Sequence, residues 1–227
     1  MRILLIGHGR MGQLVASLAP GHGCEIAAIA EIDRPLETAI AGAGAIDVAI
    51  DFSQADAVPG NLAALAARRI DAVIGTTGWQ ARAGEVRELV DRAGIGVLAS
   101  ANFSLGMNAF VFVVEEAARK FAPLGDVGAW IHEAHHAAKK DAPSGTALML
   151  EGAMKSAGYR RPIDVSSTRA GSMPGTHVVG FDGLAETVTL SHAVRDRSVF
   201  AHGALEAAKW VKGRRGWFTM RDMFSGS

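Results

Sequence analysis

The sequence predicts an α/β protein with a Rossmann-like, doubly wound parallel sheet, followed by a second α+β domain with a mixed sheet. Three observations lead to this fold class. Strand-like and helix-like runs alternate through the first half of the chain. A Gly-x-Gly-x-x-Gly motif directly follows the first strand-like run. After Phe103, strand-like runs succeed one another with few helices between them.

The glycine motif is the first element with a chemical use. Arg2–Ile6 reads as a buried strand, and a helical run continues to Leu18. Strand, tight turn and helix are the context in which this motif binds the pyrophosphate of a dinucleotide. The predicted cofactor contacts are Gly7, His8, Gly9, Arg10, Met11 and Gly12. A glycine-rich turn without a ligand is the alternative.

An acidic residue stands where a dinucleotide site needs one. Glu25–Ala30 is the second predicted strand, and Glu31 ends it, about 20 residues after the glycine motif. A carboxylate there can accept hydrogen bonds from the ribose hydroxyls of NADH. Arg34 lies close enough in sequence to pair with the 2′-phosphate of NADPH. We therefore expect NADH to be used well and NADPH not to be excluded.

The rest of the first domain continues the alternation. The predicted strands are 47–51, 72–74 and 95–99, and the predicted helices are 58–69 and 84–92. The crossover 32–47 leaves room for only a small helix. Ligands of such sheets bind beyond the carboxyl ends of the strands. Two strand ends are therefore predicted to contact the cofactor, through Gly75, Thr76, Thr77, Ser100, Ala101, Asn102 and Phe103. Ordinary turn chemistry is the alternative for both.

The second domain begins with a long helical run. The pattern predicts helices at 108–120 and 147–157, and strands at 127–131, 165–168, 177–181 and 186–192. Asp182-Gly183 between the last two strands is typical of a hairpin turn. The helical run Phe200–Val211 is predicted to return to the first domain and cover its sheet.

The stretch from Glu133 to Ala147 concentrates reactive side chains. A histidine side chain can exchange protons at working pH, so His135 and His136 are candidates for proton transfer, and Lys139 can supply a positive charge or a proton. Ser144 or Thr146 can cap the helix that follows. The first amides of that helix, at Gly145 and Thr146, can bind an anion. The combination predicts a site where a small acid is held and protonated.

Composition excludes several classes of function. The chain has 23 basic and 23 acidic residues, so no net charge attracts nucleic acid or an anionic membrane. The single cysteine, Cys24, excludes an internal disulfide framework. No apolar run is long enough to span a bilayer, and the N-terminus lacks a signal-peptide layout. We expect a cytoplasmic protein that binds neither nucleic acid nor membrane.

These motifs together resemble the dihydrodipicolinate reductase family over nearly the whole chain. The block running from the two histidines through Lys139 to Asp-Ala-Pro-Ser-Gly-Thr is the most specific part. The matching segments are Gly7-His-Gly-Arg-Met-Gly12, Asp51-Phe-Ser53, Gly75-Thr-Thr-Gly78, Ala101-Asn-Phe-Ser104, Glu133-Ala-His-His136, Lys139–Ala147, Arg169-Ala-Gly171, Gly175-Thr-His177, Ser191-His192 and Met220-Arg-Asp222.

The resemblance implies a reaction and assigns residues to it. A nicotinamide cofactor, NADH or NADPH, reduces a cyclic imine with two carboxylates to tetrahydrodipicolinate in lysine and diaminopimelate biosynthesis. His135 is implied as proton donor or acceptor and Lys139 as proton donor. The implied substrate contacts are His136, Gly145, Thr146 and Arg197. No metal ion is implied.

The resemblance also implies a domain organisation. Residues 1–103 with 197–227 would bind the dinucleotide, and residues 104–196 would bind substrate and form the oligomer, a homotetramer.

Two departures from the family pattern stand out. The crossover 32–47 is shorter than usual, and His202 replaces the usual asparagine.

Two other functions compete with this interpretation. His132-Glu-Ala-His-His136 also matches the His-Glu-x-x-His motif of zinc peptidases, which requires both histidines on one face of a helix. The strand-like run that precedes this motif argues against such a helix. A non-catalytic nucleotide-sensing protein is the other alternative, and the intact set of His135 and Lys139 argues against it. The histidine pair could also simply be buried and hydrogen-bonded.

Overall fold

The computed structural model describes residues 1–225, and its internal contacts divide the chain into two compact units. Unit 1 contains Met1–Leu105 together with the chain from Ser198 onward, and unit 2 contains Gly106–Arg197. Within residues 1–225, no helix is both long and apolar enough to cross a membrane.

Residues 1–225 form ten strands and eight α-helices. The strands are β1 (Arg2–Ile6), β2 (Glu25–Ala30), β3 (Val48–Asp51), β4 (Asp71–Ile74), β5 (Gly96–Ala99), β6 (Gly128–His135), β7 (Ile163–Arg169), β8 (Thr176–Asp182), β9 (Thr187–Ala193) and β10 (Gly216–Phe218). The helices are α1 (Arg10–Leu18), α2 (Leu36–Ala41), α3 (Val58–Ala67), α4 (Ala83–Ala93), α5 (Leu105–Phe121), α6 (Gly145–Ser156), α7 (Ser198–Val211) and α8 (Met220–Ser225).

Unit 1 is the predicted doubly wound sheet. Its six strands run in the order β10-β5-β4-β3-β1-β2 and are all parallel. Successive residues of β1 point to opposite faces, so Leu4 and Ile6 pack with α2, α3 and α4, whereas Ile3 and Leu5 pack with α1 and α7. Burial on both faces explains why these strands read as continuous apolar runs.

The return of α7 to unit 1 is confirmed, but one strand was not predicted. The chain continues past α7 into β10, which pairs with β5 at the edge of the sheet. This strand has only three residues, too few for a period to be recognised. The short crossover contains a helix of only six residues, α2, as expected.

Unit 2 is the predicted mixed-sheet domain. Its four strands run in the order β7-β6-β8-β9, with β6 and β7 parallel and the other pairs antiparallel. Helices α5 and α6 pack on one face, against inward residues such as Ile131, Val179 and Phe181. The predicted hairpin turn is present, with Gly183 N–H donating to Glu186 O at 2.9 Å.

Strand β6 extends further than the sequence predicted. The expected strand ended at Ile131, but β6 continues to His135. The His-Glu-x-x-His segment therefore begins within a strand, and the side chain of His132 hydrogen-bonds to Ser166 Oγ at 2.9 Å. A zinc peptidase would need a helix at this position, but the segment is a strand as far as His135.

Candidate active site

Unit 1 carries an open cavity of about 590 Å³ beyond the carboxyl ends of β1, β2 and β3. This is the edge where ligands of doubly wound sheets bind. The lining residues are Ile6, Gly7, His8, Gly9, Ala30, Glu31, Ile32, Asp33, Leu36, Phe52, Ser53, Gln54, Ala57 and Asn61.

The three motif glycines meet different spatial requirements. A Cβ on Gly7 would lie 2.5 Å from Phe52 O, and Gly7 has a φ of 86°, a conformation that favours glycine. A Cβ on Gly12 would lie 2.1 Å from Gly7 O, so α1 packs directly on the turn. Gly9 has no atom within 4 Å of its Cβ position and leaves its backbone open to the cavity. An approaching pyrophosphate needs such an open backbone.

A buried carboxylate that was not among the predicted site residues holds the cavity wall in place. Asp51 is fully buried at the end of β3. Its Oδ1 accepts hydrogen bonds from Ser53 N at 2.8 Å, Ser53 Oγ at 2.6 Å and Thr76 Oγ1 at 2.8 Å. Its Oδ2 accepts one from Asn61 Nδ2 at 2.8 Å. Ser53 and Asn61 line the cavity, so Asp51 fixes two polar groups that face it.

The structure places only some of the predicted cofactor residues at this cavity. Among the described residues, Gly7, His8, Gly9 and Glu31 line it. The others do not: Arg10, Met11, Gly12, Arg34, Gly75, Thr76, Thr77, Ser100, Ala101, Asn102 and Phe103.

Two of the non-lining residues have clear structural positions. Phe103 is 2% exposed and belongs to the hydrophobic core of unit 1. The guanidinium of Arg34 is directed along α2, with Nη2 3.4 Å from the Cβ position of Gly42. Asp33, not Arg34, joins Glu31 at the cavity.

Strand register assembles a second group of polar residues in unit 2. On β6, Glu133 is opposite His177 of β8, and His135 is opposite Arg169 of β7. Residues two apart on a strand share a face, as do directly opposed partners. All four side chains therefore converge at one end of the sheet, on the face that carries α5 and α6.

These side chains form a buried hydrogen-bonded cluster. Arg169 donates to Glu133 Oε1 at 2.6 Å and to Oε2 at 3.0 Å. His135 Nδ1 contacts Glu133 Oε2, and the rings of His135 and His177 meet edge to face at 5.2 Å. His177 Nε2 lies 3.2 Å from Ser144 Oγ. Ser144 also accepts from Ala147 N at 3.2 Å, so it is the cap of α6 that the sequence left open between Ser144 and Thr146.

Burial and charge set the protonation of this cluster. Burial alone would raise the pKa of Glu133, but hydrogen bonds from Arg169, Ser167 and His135 lower it to about 2. Burial lowers the pKa of His135, and the adjacent Glu133 carboxylate opposes this without reversing it. Burial also lowers the pKa of His177 to about 4. Near neutral pH, Glu133 is ionised and both histidines are neutral.

The loop after β6 holds a carboxylate at the start of α6. Lys139 Nζ donates to both oxygens of Asp141, at 2.7 and 2.9 Å. The pKa of Asp141 is lowered chiefly by this contact with Lys139 and also by a hydrogen bond from the backbone N–H of Gly145. The Lys139 ammonium is close enough to His135 to act on its pKa. A lysine and a helix start thus hold a carboxylate beside a histidine.

The remaining predicted substrate residues are distributed unevenly. His136 is half-buried directly after β6, and Thr146 lies in the first turn of α6. Arg197 is exposed at the end of unit 2, and no described contact joins it to the cluster. Glu133, Asp141, Arg169 and His177 were not among the predicted site residues.

The cluster also has the composition of a metal site. Potential ligand atoms of Glu133, His135 and His177 lie within 4.8 Å of one another, the one such group among residues 1–225. Arg169 already donates to both oxygens of Glu133. A cation would have to displace this guanidinium, so the geometry favours a hydrogen-bonded network.

Two protein-family models match this chain. The model of the dihydrodipicolinate reductase N-terminus matches residues 1–103, and the model of its C-terminus matches residues 106–224. The chain belongs to the dihydrodipicolinate reductase family. The resemblance recognised from the histidine–lysine block is thereby confirmed.

Relatives of this reductase family match the chain over its full length. A 4-hydroxy-tetrahydrodipicolinate reductase of Christiangramia forsetii is 33% identical, covering 99% of this chain and 98% of that protein. The enzyme of the same name from Caldanaerobacter subterraneus subsp. tengcongensis is 37% identical, covering 98% of each. The structure of a dipicolinate-bound dihydrodipicolinate reductase from Paenisporosarcina sp. TG-14 shares the fold, with a TM-score of 0.82, 21% identity, and coverage of 96% of this chain and 97% of that chain.

His202, which departs from the reductase pattern, contacts another histidine. His202 Nδ1 lies 2.8 Å from His22 Nε2, and His22 Nδ1 lies 2.7 Å from Glu206 Oε1. The interaction links α7 to the segment that follows α1. His202 therefore contributes to packing within unit 1.

Acid should destabilise the protein through His177. The pKa of His177 in the folded protein is about 4, below the ordinary value of 6.5. Between these two values the unfolded chain binds more protons than the folded protein, so the stability decreases as the pH is lowered. His135 and His192 act in the same direction. From about pH 7 to about pH 5, His177 alone should remove about 2 kcal/mol.

Chemical denaturation at these two pH values, with wild type and His177→Gln, measures the effect. The variant should lose less stability over this interval than the wild type. The depressed pKa of Glu133 acts in a lower window, from 4.5 down to about 2, and does not obscure the comparison. An equal loss in both proteins would contradict the role of His177.

Proposed function

We propose that this protein reduces 4-hydroxy-tetrahydrodipicolinate to tetrahydrodipicolinate with a nicotinamide cofactor, in lysine and diaminopimelate biosynthesis. The observation that carries the proposal is the carboxylate of Asp141, held between Lys139 and the start of α6 beside His135. A substrate with two carboxylates offers the same kind of group to the same donors. Relatives named for this reaction match the chain from end to end.

The cofactor is assigned to unit 1. Gly7, Gly9 and Glu31 offer an open turn and a ribose-binding carboxylate in the cavity beyond β1 and β2. A bound nicotinamide would supply the hydride. We assign further predicted contacts to the same cofactor, because they follow the carboxyl ends of β1, β4 and β5 in the same parallel sheet: Arg10, Met11, Gly12, Gly75, Thr76, Thr77, Ser100, Ala101, Asn102 and Phe103.

The protein residues of unit 2 bind the substrate and supply the proton. Gly145 and Thr146 offer backbone N–H groups to one carboxylate, and the Lys139 ammonium donates to a carboxylate or to the carbon next to the reduced imine. His135 donates or accepts a proton at its ring, and His136 and Arg197 contact the substrate. The 4-hydroxyl group leaves as water, which gives the conjugated cyclic imine. Hydride addition to this imine leaves an enamine, and the neighbouring carbon then takes the proton, so that one hydride, one proton and one released water balance the reaction.

Turnover of the cyclic imine is the decisive experiment. Purified protein should oxidise NADH or NADPH when the imine is generated in the assay, and not when it is omitted. Zinc-dependent peptide hydrolysis without turnover of the imine would support the peptidase alternative instead. Binding of the nucleotide without turnover would support the nucleotide-sensing alternative.

We further propose that the enzyme uses NADH well and is not strictly dependent on NADPH. Two carboxylates, Glu31 and Asp33, line the cavity, and both would repel the 2′-phosphate of NADPH. Replacing Glu31 by alanine should raise the ratio of kcat/KM for NADPH to that for NADH by about tenfold, or about 1.4 kcal/mol.

Glu25→Ala is the matched control, because Glu25 begins the strand β2 that Glu31 follows and pairs with Arg2. It should leave the ratio unchanged. A wild-type enzyme at least tenfold better with NADPH, or a ratio that Glu31→Ala does not move, would mean that Glu31 does not contact the ribose.

We also propose a homotetramer assembled through unit 2. Helices α5 and α6 cover one face of its sheet, and the opposite face carries the half-buried Trp130 and Val178 and the exposed Thr189. Such faces and edge strands are commonly buried between subunits. Light scattering should give four times the chain mass of 23.7 kDa.

A charge on this face tests which surface assembles. Thr189→Asp should lower the measured mass, because it would place a carboxylate in the interface. Ser156→Asp, an exposed position at the end of α6 on the other side of the sheet, should leave the mass unchanged. A monomeric wild type at working concentration would refute the proposal.

A further inference from the structure

Glu133 is a buried carboxylate of unit 2 that accepts several hydrogen bonds, and it lies next to the proposed proton-transfer residue. It is fully buried on β6. Its Oε1 accepts from Arg169 Nη2 at 2.6 Å and from Ser144 N at 3.3 Å. Its Oε2 accepts from Arg169 Nη1 at 3.0 Å and contacts His135 Nδ1. Donors from β7, from the start of α6 and from β6 itself thus fix one carboxylate.

The charge of Glu133 determines where His135 carries its proton. A carboxylate paired with both arms of a guanidinium stays ionised, and an ionised carboxylate only accepts hydrogen bonds. His135 Nδ1 must therefore be the donor in the contact with Glu133. In a neutral imidazole the other nitrogen, Nε2, is then unprotonated.

The opposite side of the ring is left open by a glycine. A Cβ on Gly175 would lie 3.0 Å from His135 Nε2 and 3.2 Å from Cδ2. Any side chain at Gly175 would crowd the nitrogen that Glu133 does not hold. Gly175 also has a φ of 152°, a conformation that other residues rarely adopt.

We propose that Glu133, locked by Arg169, is a positioning residue that fixes His135 with its proton on Nδ1 and presents Nε2 to the substrate. This inference rests on the proposed function, because it assumes that His135 acts on the substrate. Glu133 itself does not contact the substrate. It acts through the imidazole ring, as a carboxylate behind a histidine commonly does.

The arrangement has two consequences for the reaction. The proton is exchanged at Nε2, and the Glu133 carboxylate stabilises the imidazolium that forms when Nε2 is protonated. Arg169 Nη2 also donates to the backbone carbonyl of Asp141 at 2.6 Å. The Arg169 guanidinium therefore holds both the carboxylate that orients His135 and the loop that carries Lys139.

The ring nitrogens can be observed directly, without turnover. NMR of wild-type protein with isotope-labelled histidine gives separate chemical shifts for protonated and unprotonated ring nitrogens. The chain has 8 histidines, so the His135 signals are identified as those missing from His135→Gln. We expect Nδ1 protonated and Nε2 unprotonated near neutral pH. The reverse tautomer, or an equal mixture, would overturn the proposal.

Kinetics of Glu133→Gln test the effect on catalysis. The amide keeps the shape of the side chain but lacks the charge that fixes the tautomer. We expect kcat to fall by about 10- to 100-fold, KM for the imine to change by less than about threefold, and the pH profile of kcat/KM to shift. Glu133→Asp, which keeps the charge, should recover part of kcat. An unchanged kcat and pH profile would overturn the proposal.

Glu115→Gln is the matched control, because Glu115 is another buried carboxylate of unit 2. It should leave the pH profile and the His135 shifts as in wild type. If Glu133→Gln does not fold, the wild-type NMR result decides alone. If the wild type shows no turnover of the imine, the proposed function fails, whereas the tautomer result still reports on the structural part of this inference.

Discussion

Replacing Lys139 by alanine should remove most of the reductase activity while the nicotinamide cofactor still binds. Lys139 lies in the loop after β6 of unit 2, whereas the glycine motif belongs to unit 1. Loss of a charged hydrogen bond to a substrate carboxylate removes about 1.5–3 kcal/mol. Loss of the proton donor adds a factor of about 10² or more. We therefore expect kcat/KM to fall by at least about a thousandfold.

Asp141 sharpens this experiment. In the variant, its carboxylate loses the ammonium that neutralises it and would repel the substrate carboxylate at the start of α6. The double variant with Asp141→Ala should therefore regain substrate affinity but not kcat. Lys140→Ala, the neighbouring exposed lysine, is the control and should turn over normally. Normal turnover by Lys139→Ala would rule out the assignment.

Replacing Gly203 by alanine should destabilise unit 1 more than any other single methyl addition in a helix. Gly203 lies in α7, where a Cβ would be 1.6 Å from Phe103 O and 2.8 Å from Phe103 C. The clash is with backbone atoms, so the methyl group can be accommodated only if the backbone of α7 or of Phe103 shifts. We expect a loss of about 3 kcal/mol in the free energy of unfolding.

Gly152→Ala supplies the matched comparison. Gly152 also lies inside a helix, α6, but no atom is within 4 Å of its Cβ position. Alanine there should stabilise the protein by about 0.5–1 kcal/mol, since glycine is the poorer helix former. Thermal and chemical unfolding of both variants measure the difference. Similar stabilities would mean that α7 does not approach the Phe103 backbone as described.

The order of strands and helices could be predicted because each element has its own local signal. Apolar runs such as Glu25–Ala30, and the apolar face of α3 at Leu62, Leu65 and Ala66, were read correctly. The strand β10 was not, since Gly216–Phe218 becomes a strand only by pairing with β5. Pairing between distant segments leaves no local trace in the sequence.

The site was predictable only where its residues are neighbours in sequence. His135 and Lys139 stand within one short block, and so does the start of α6. Glu133 could have been inferred, because it and His135 share a face once β6 is extended past Ile131. Arg169 and His177 could not, because the register of β7 and β8 places them.

The division of unit 1 between the two ends of the chain has a consequence for synthesis on the ribosome. Unit 2 is a continuous segment and is complete when Arg197 emerges. Unit 1 at that moment still lacks α7, whose buried residues include Ala201, Ala204 and Leu205. The part of the sheet that α7 covers must therefore stay exposed until α7 has emerged, so residues 1–105 finish folding after unit 2 although they are made before it. A nascent chain stalled before α7 would expose this apolar surface to chaperones or to aggregation.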